Sequence, residues 1–133
     1  MTNKEINKVV NQYYPLISED YSDVNPKVEL YKNIYERLSG TKGMTGEVCA
    51  HAEYDWNKDK IYIYTSKMKC EEDIIRSLIH ECVHSTQLKV LFDKYYEVGE
   101  TYDTHPYEIA ARKAENSWYK YLKYLIKQKN INK

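Results

Sequence analysis

The stretch Ile79-His80-Glu81-Cys82-Val83-His84 decides how this chain is read, because it sets two histidines four residues apart inside a run of helical periodicity. At roughly 100° per residue, positions i and i+4 lie about 40° apart on a helix, so both imidazoles can reach a single ion. They are two of the three protein ligands that a hydrolytic zinc uses, with a fourth position left to water. Glu81 stands roughly 100° round from His80, too far to complete the ligand set and near enough to reach that water. It is placed as a general base.

Polarity around the motif agrees. With His80 at 0° on a helical wheel, Ile74, Ile75, Leu78, Ile79, Cys82, Val83 and Val90 fall between about 120° and 300°, and Ser77, Glu81, His84 and Gln87 fall on the other side. The helix therefore has a core face and a polar ribbon. Gln87 extends the ribbon one turn past His84, where it can support a ligand from behind or meet substrate. The acids Glu71-Glu72-Asp73 suit a first turn, where negative charge meets the positive end of the helix dipole, so the helix is expected to begin between Lys69 and Glu72. It is expected to run on to Gly99.

Composition narrows the setting. The 133 residues fit one domain, 1–133, with an ordinary apolar and charged mix. Twenty Lys and Arg balance twenty Asp and Glu, so the charge gives no reason to expect nucleic acid or an anionic membrane as partner. No run of about 18 apolar residues occurs, and the polar opening has no apolar signal region, so a cytoplasmic location is expected. Cys49, Cys70 and Cys82 form an odd set without Cys-x-x-Cys spacing, which fits reduced thiols, and Cys82 falls on the core face. Fifteen Tyr against one Phe, in a Lys-rich chain, is the residue habit of an AT-rich genome.

Upstream of the motif, Ile6, Val9, Val10, Tyr13 and Tyr14 predict a short first helix stopped by Pro15. Asn25-Pro26 then offers an N-cap and first-turn proline for a second helix, with Val28, Tyr31, Ile34, Tyr35 and Leu38 as its inward stripe and Gly40 as its end. Residues 40–46 hold three of the four glycines and read as a flexible loop. Glu47 to Trp56 and Lys60 to Thr65 read as a hairpin turning at Asn57-Lys58-Asp59, a short antiparallel sheet beside the motif helix. His51, on the polar face of the first strand, reads as solvated. Downstream, a last helix is expected from Pro106 to Lys127, with Tyr107, Ala111, Ala114, Trp118, Tyr121 and Leu125 as an inward seam. Ala110, Ala111 and Ala114 would let it approach the motif helix closely.

Two histidines need a third protein ligand, and Glu108 and His105 are the candidates. Glu108 lies in the first turn of the closely approaching helix, and a carboxylate there completes a two-histidine, one-glutamate set suited to hydrolysis. It would equally serve as a capping-box acid behind Pro106. His105, at or before the helix start, can instead cap the helix or donate to a substrate oxyanion. Tyr102 and the Tyr95-Tyr96 pair are the other polar groups near enough in sequence to act as donors there.

The segments His80-Glu81-Cys82-Val83-His84-Ser85-Thr86-Gln87 and His105-Pro106-Tyr107-Glu108-Ile109-Ala110-Ala111 together resemble the small zincin metallopeptidases of the gluzincin type, in which His-Glu-x-x-His is followed by a glutamate ligand on a later helix. The second segment is similar to the Pro-x-Glu-x-x-Ala element of minimal, often phage-borne or bacterial, members. The resemblance covers residues 47 to about 125. It implies an α+β fold, mainly helical, with a small sheet crossed by the motif helix and the glutamate helix packed behind. It also implies one Zn2+ per chain on His80, His84 and Glu108, Glu81 as catalytic base, and a peptide or protein substrate. The larger substrate-binding subdomain of full-length peptidases has no counterpart in this sequence. Two readings of other classes stand beside it: a zinc-stabilised binding module without turnover, and a metal-free helical interaction protein, which requires Glu108 to lie far from the two histidines.

Overall fold

The computed structural model describes residues 1–21, 25–39 and 50–131. The expected glycine loop at 40–46, the start of the first hairpin strand at 47–49 and Cys49 lie outside them. The fold is α+β, mainly helical, with one three-stranded sheet. Among the described residues no helix is long and apolar enough to cross a membrane.

The first helix, α1 (Asn3–Tyr21), opens on a capping box in which Thr2 and Glu5 exchange backbone and side-chain hydrogen bonds at 3.2 and 3.1 Å. It does not stop at Pro15. The apolar stripe Ile6, Val9, Val10, Tyr13 and Ile17 continues through the proline, and packing of that stripe against the core outweighs the one backbone hydrogen bond that Pro15 cannot donate.

The segment expected as a second helix is a strand followed by a short helix: β1 (Lys27–Tyr31) and α2 (Ile34–Ser39). With β2 (Ala52–Asp55) and β3 (Lys60–Tyr64) it forms a sheet of order β1-β3-β2, in which β2 pairs antiparallel to β3, as the hairpin reading requires, and β1 pairs parallel to it. The sheet is thus mixed and not purely antiparallel. Its register builds two cross-strand rows, Val28-Ile61-Tyr54 and Leu30-Ile63-Ala52, and both rows face the helical core. On the other face Tyr62 and Tyr64 are buried under Arg37, whose guanidinium lies 4.3 Å from the Tyr62 ring and donates to the Tyr64 hydroxyl at 2.9 Å.

The motif helix, α3 (Glu71–Ser85), begins where its acidic first turn predicts and lies at the centre of the molecule. Ile74, Ile75, Leu78, Ile79 and Cys82 are fully buried against α1 and the sheet, at about 25 cal/mol per Å2 of apolar surface removed from water. The helix ends at Ser85 and does not continue to Gly99. The Ser85 and Thr86 hydroxyls donate to the carbonyls of Cys82 and Val83 at 2.5 and 2.7 Å, a local alternative to the helical ladder, and the chain turns before α4 (Lys89–Glu97). Val90, assigned to the core face of one long helix, is consequently 71% exposed.

The last helix is also divided. α5 (Pro106–Ala114) passes through a single 3-10 turn, Glu115–Ser117, into α6 (Trp118–Ile131). Most of the expected seam faces inward: Ala111 and Tyr121 are buried, and Ala114, Trp118 and Leu125 pack against the core, whereas Tyr107 packs on Tyr95 and His105. Close approach of α5 to α3 goes through Ala111, since Ala110 is exposed.

Candidate metal centre

Two elements bring the site together. α3 presents His80, Glu81 and His84 on its polar side, and the first turn of α5 presents Glu108 opposite them. All four are buried, at 4 to 8% exposure, and the opposite face of α3 is core.

The start of α5 is fixed by His105. Its Nδ1 accepts from the backbone N–H groups of Tyr107 and Glu108 at 3.1 and 3.4 Å, and its Nε2 donates to the Phe92 carbonyl at 2.8 Å. The ring is fully buried among Phe92, Tyr95 and Tyr96. Both nitrogens are spent on the scaffold, so of the roles open to it His105 has that of helix cap, with no N–H left for a substrate.

Glu108 is the residue that meets the histidines. Its Oε1 lies 2.5 Å from Nε2 of His84 and 3.4 Å from Nε2 of His80, and one ligand atom from each of the three residues lies within 4.8 Å of the others. The other nitrogen of each ring is held from behind. His80 Nδ1 sits 2.7 Å from Glu115 Oε2, and His84 Nδ1 sits 2.7 Å from Gln87 Oε1. Gln87 is oriented in turn by its Nε2, which donates to the Tyr107 carbonyl at 3.2 Å. Facing acceptor oxygens, both Nδ1 atoms carry the hydrogen, which leaves both Nε2 lone pairs directed inward.

The donor set fits a metal ion. Glu108 Oε1 is buried yet accepts no well-aligned hydrogen bond, although two ring nitrogens are close by. A buried carboxylate oxygen left in that condition is costly unless a cation answers it. Two imidazole nitrogens and one carboxylate oxygen are a set that first-row divalent ions accept. Without an ion, a proton does part of the work. Burial disfavours a charged His80, but its close contacts with Glu108 and Glu115 prevail and push its pKa up to about 10. Burial raises Glu108, and its close contacts with His80 and His84 prevail and pull it down to about 2.

Glu81 lines the same cleft, a cavity of about 980 Å3 walled by β2, α3 and α5. Burial raises its carboxyl above the usual range, and the neighbouring His80 and His84 draw it partly back. Of the groups considered as donors toward a substrate, Tyr102 lines the cleft, half exposed. The Tyr96 hydroxyl makes only a 3.5 Å contact to Glu108 Oε2, and Tyr95 packs on the His105 ring. His51 is exposed on the cleft wall and outside the metal-ligating group.

Three contributors are not legible in the motif. Glu115 orients His80, and Trp56 and Phe92 pack against the His84 ring at 5.8 and 5.2 Å. Glu115 had a signal, since it stands seven residues, or two helical turns, beyond Glu108 on the same face. Trp56 and Phe92 had none. No protein-family model, curated protein or solved structure matches the chain.

Proposed function

We propose that the chain is a zinc-dependent peptidase of the gluzincin kind, with His80, His84 and Glu108 as ligands and Glu81 as general base. The observation that carries this reading is the convergence of the unanswered Glu108 Oε1 with two Nε2 atoms whose rings are both oriented from behind. Zinc is the ion of choice because two imidazoles and one carboxylate leave a coordination position open, as hydrolytic zinc requires. When bound, it supplies Lewis acidity, lowering the pKa of a water toward about 7 and polarising a carbonyl.

The chain's own residues supply the rest. The Glu81 carboxylate takes the proton of the attacking water and returns it to the leaving amine. Glu115 and Gln87 keep the imidazoles in one tautomer and one orientation, so no ligand has to reorganise during turnover. Trp56 and Phe92 exclude water from one side of His84. An extended peptide suits this cleft, because β2 is an outer strand of the sheet among the described residues and runs along the cleft wall, where a substrate main chain can pair beside it.

The test is hydrolysis of a mixture of unfolded peptides by the zinc-loaded protein, with a chelator control. Cleavage that stops on chelation and returns with stoichiometric zinc supports the reading. Stoichiometric zinc without cleavage of any peptide would leave a metal-stabilised binding module in its place.

A further inference from the structure

The three arginines of the chain, Arg37, Arg76 and Arg112, all line the cleft, together with Lys89. Three of these four cations are answered by carboxylates: Arg37 by Glu53, Arg76 by Glu72 and Lys89 by Asp93, each at 2.8 Å. Arg112 is not. Among the described residues no carboxylate lies within ion-pair distance of it, and the two acids nearest it along the helix are turned elsewhere. Glu108, one turn before, faces His80 and His84, and Glu115, three residues after, faces His80. An Arg four residues beyond a Glu on a helix is near enough to pair with it.

The guanidinium is instead held in place by uncharged groups. Nη1 donates to the Tyr102 carbonyl at 2.7 Å, Nη2 donates to the Asp103 carbonyl at 3.1 Å, and the group lies 4.5 Å from the centroid of the Tyr102 ring. Those two bonds occupy two of its five N–H donors. The result is a fixed cation, stacked on an aromatic ring that also lines the cleft, with donors to spare and, among the described residues, no carboxylate paired with it.

We propose that Arg112 and Tyr102 form a carboxylate-binding subsite of this cleft, so that the preferred peptides carry an acidic group, either an Asp or Glu side chain or a free C-terminal carboxylate. Arg112 is one helical turn, about 6 Å of axis, from Glu108. An extended chain advances about 3.3 Å per residue, so the acidic group falls within roughly two residues of the bond presented to Glu81. The substrate class rests on the peptidase reading, whereas its test needs only peptide binding.

The experiment measures fluorescence anisotropy of labelled, otherwise neutral extended peptides on zinc-loaded Glu81→Gln protein, which leaves them intact. The peptides come in pairs: an internal Glu against Gln at each position, and a C-terminal carboxylate against a C-terminal amide. A charge-assisted, forked contact predicts that one carboxylate form binds roughly ten- to a hundredfold tighter than its amide partner, less so at high salt. The pair that shows the difference identifies the side chain or the terminus as the source. Adding Arg112→Gln, which keeps an amide donor for the two carbonyls, removes the preference, and Arg112→Lys keeps part of it through charge alone. Equal binding within every pair, a preference that survives Arg112→Gln, or no binding of any peptide overturns the proposal. Should Arg112→Gln fail to fold, the carboxylate-to-amide ratio of the Arg112-containing protein, its salt dependence and the Arg112→Lys variant decide. Absence of turnover in the wild type with the preference intact overturns the peptidase reading alone, and turnover without the preference overturns this subsite alone.

Discussion

Nδ1 of His80 lies 2.7 Å from Oε2 of Glu115, and that contact determines which nitrogen of the ring faces Glu108. A carboxylate behind an imidazole fixes its tautomer and raises its basicity as a ligand. Glu115→Ala should weaken zinc binding by roughly ten- to a hundredfold, and Glu115→Gln by less, because the amide still offers an acceptor. Competition titration against a chromophoric chelator measures both. Unchanged affinity in Glu115→Ala would reduce the contact to packing.

The ligand assignment makes a sharper demand on Glu108. Glu108→Ala should release zinc at concentrations where the wild type is saturated, since two protein ligands rarely hold the ion. His105→Ala should lose zinc only to the extent that it unfolds, because its ring nitrogens bond to the backbone of 92, 107 and 108. Denaturant titration should show His105→Ala destabilised by about 2–4 kcal/mol, the combined scale of a lost cap and a buried cavity. His105→Ala protein with full stability and selectively impaired turnover would reinstate it as a group acting on substrate.

Metal-free protein should show a pH dependence set by the same cluster. His80 has its folded pKa raised from 6.5 to about 10, so its stabilising contribution is complete below about 6.5 and is lost as the pH rises through 10. Glu108 has its folded pKa depressed from 4.5 to about 2, so its contribution is present above about 4.5 and is lost as the pH falls through 2. The melting temperature after chelation should therefore be highest near pH 4.5–6.5 and decline toward pH 10. Glu108→Gln should flatten the decline between 6.5 and 10, and bound zinc, which takes the place of the proton, should do so as well. An equal alkaline decline in the Glu108→Gln protein would detach it from this pair.

The elements legible in the sequence were those whose signals are local. The acids at 71–73 marked the start of α3, the wheel around His80 separated its core face from its polar ribbon, and Pro106 marked the start of α5. Gln87 was legible as a supporting residue for the same reason, lying one turn from His84. The break after Ser85 is made locally by the Ser85 and Thr86 hydroxyls, whereas the other misreadings depend on partners distant along the chain. Val28, Tyr31, Ile34 and Tyr35 satisfy a helical spacing, but Val28 and Leu30 also alternate, and the deciding factor is β3, which pairs with them from some thirty residues away. Pro15 obeys its local rule, yet Ile17 buried beyond it keeps α1 intact. Glu115 shares a helical face with Glu108 in the sequence, but the His80 ring it holds lies thirty-five residues away on another helix, a pairing no local spacing specifies.

The central claim, that this buried cluster performs hydrolysis with Glu81 as base, is tested most directly by the initial rate of peptide cleavage by wild type and Glu81→Gln at equal, measured zinc content. Glu81→Gln should keep one zinc per chain and its fold while its rate falls by roughly two to four orders of magnitude, the scale of a lost general base. A Glu81→Gln protein that cleaves as fast as the wild type would contradict that claim.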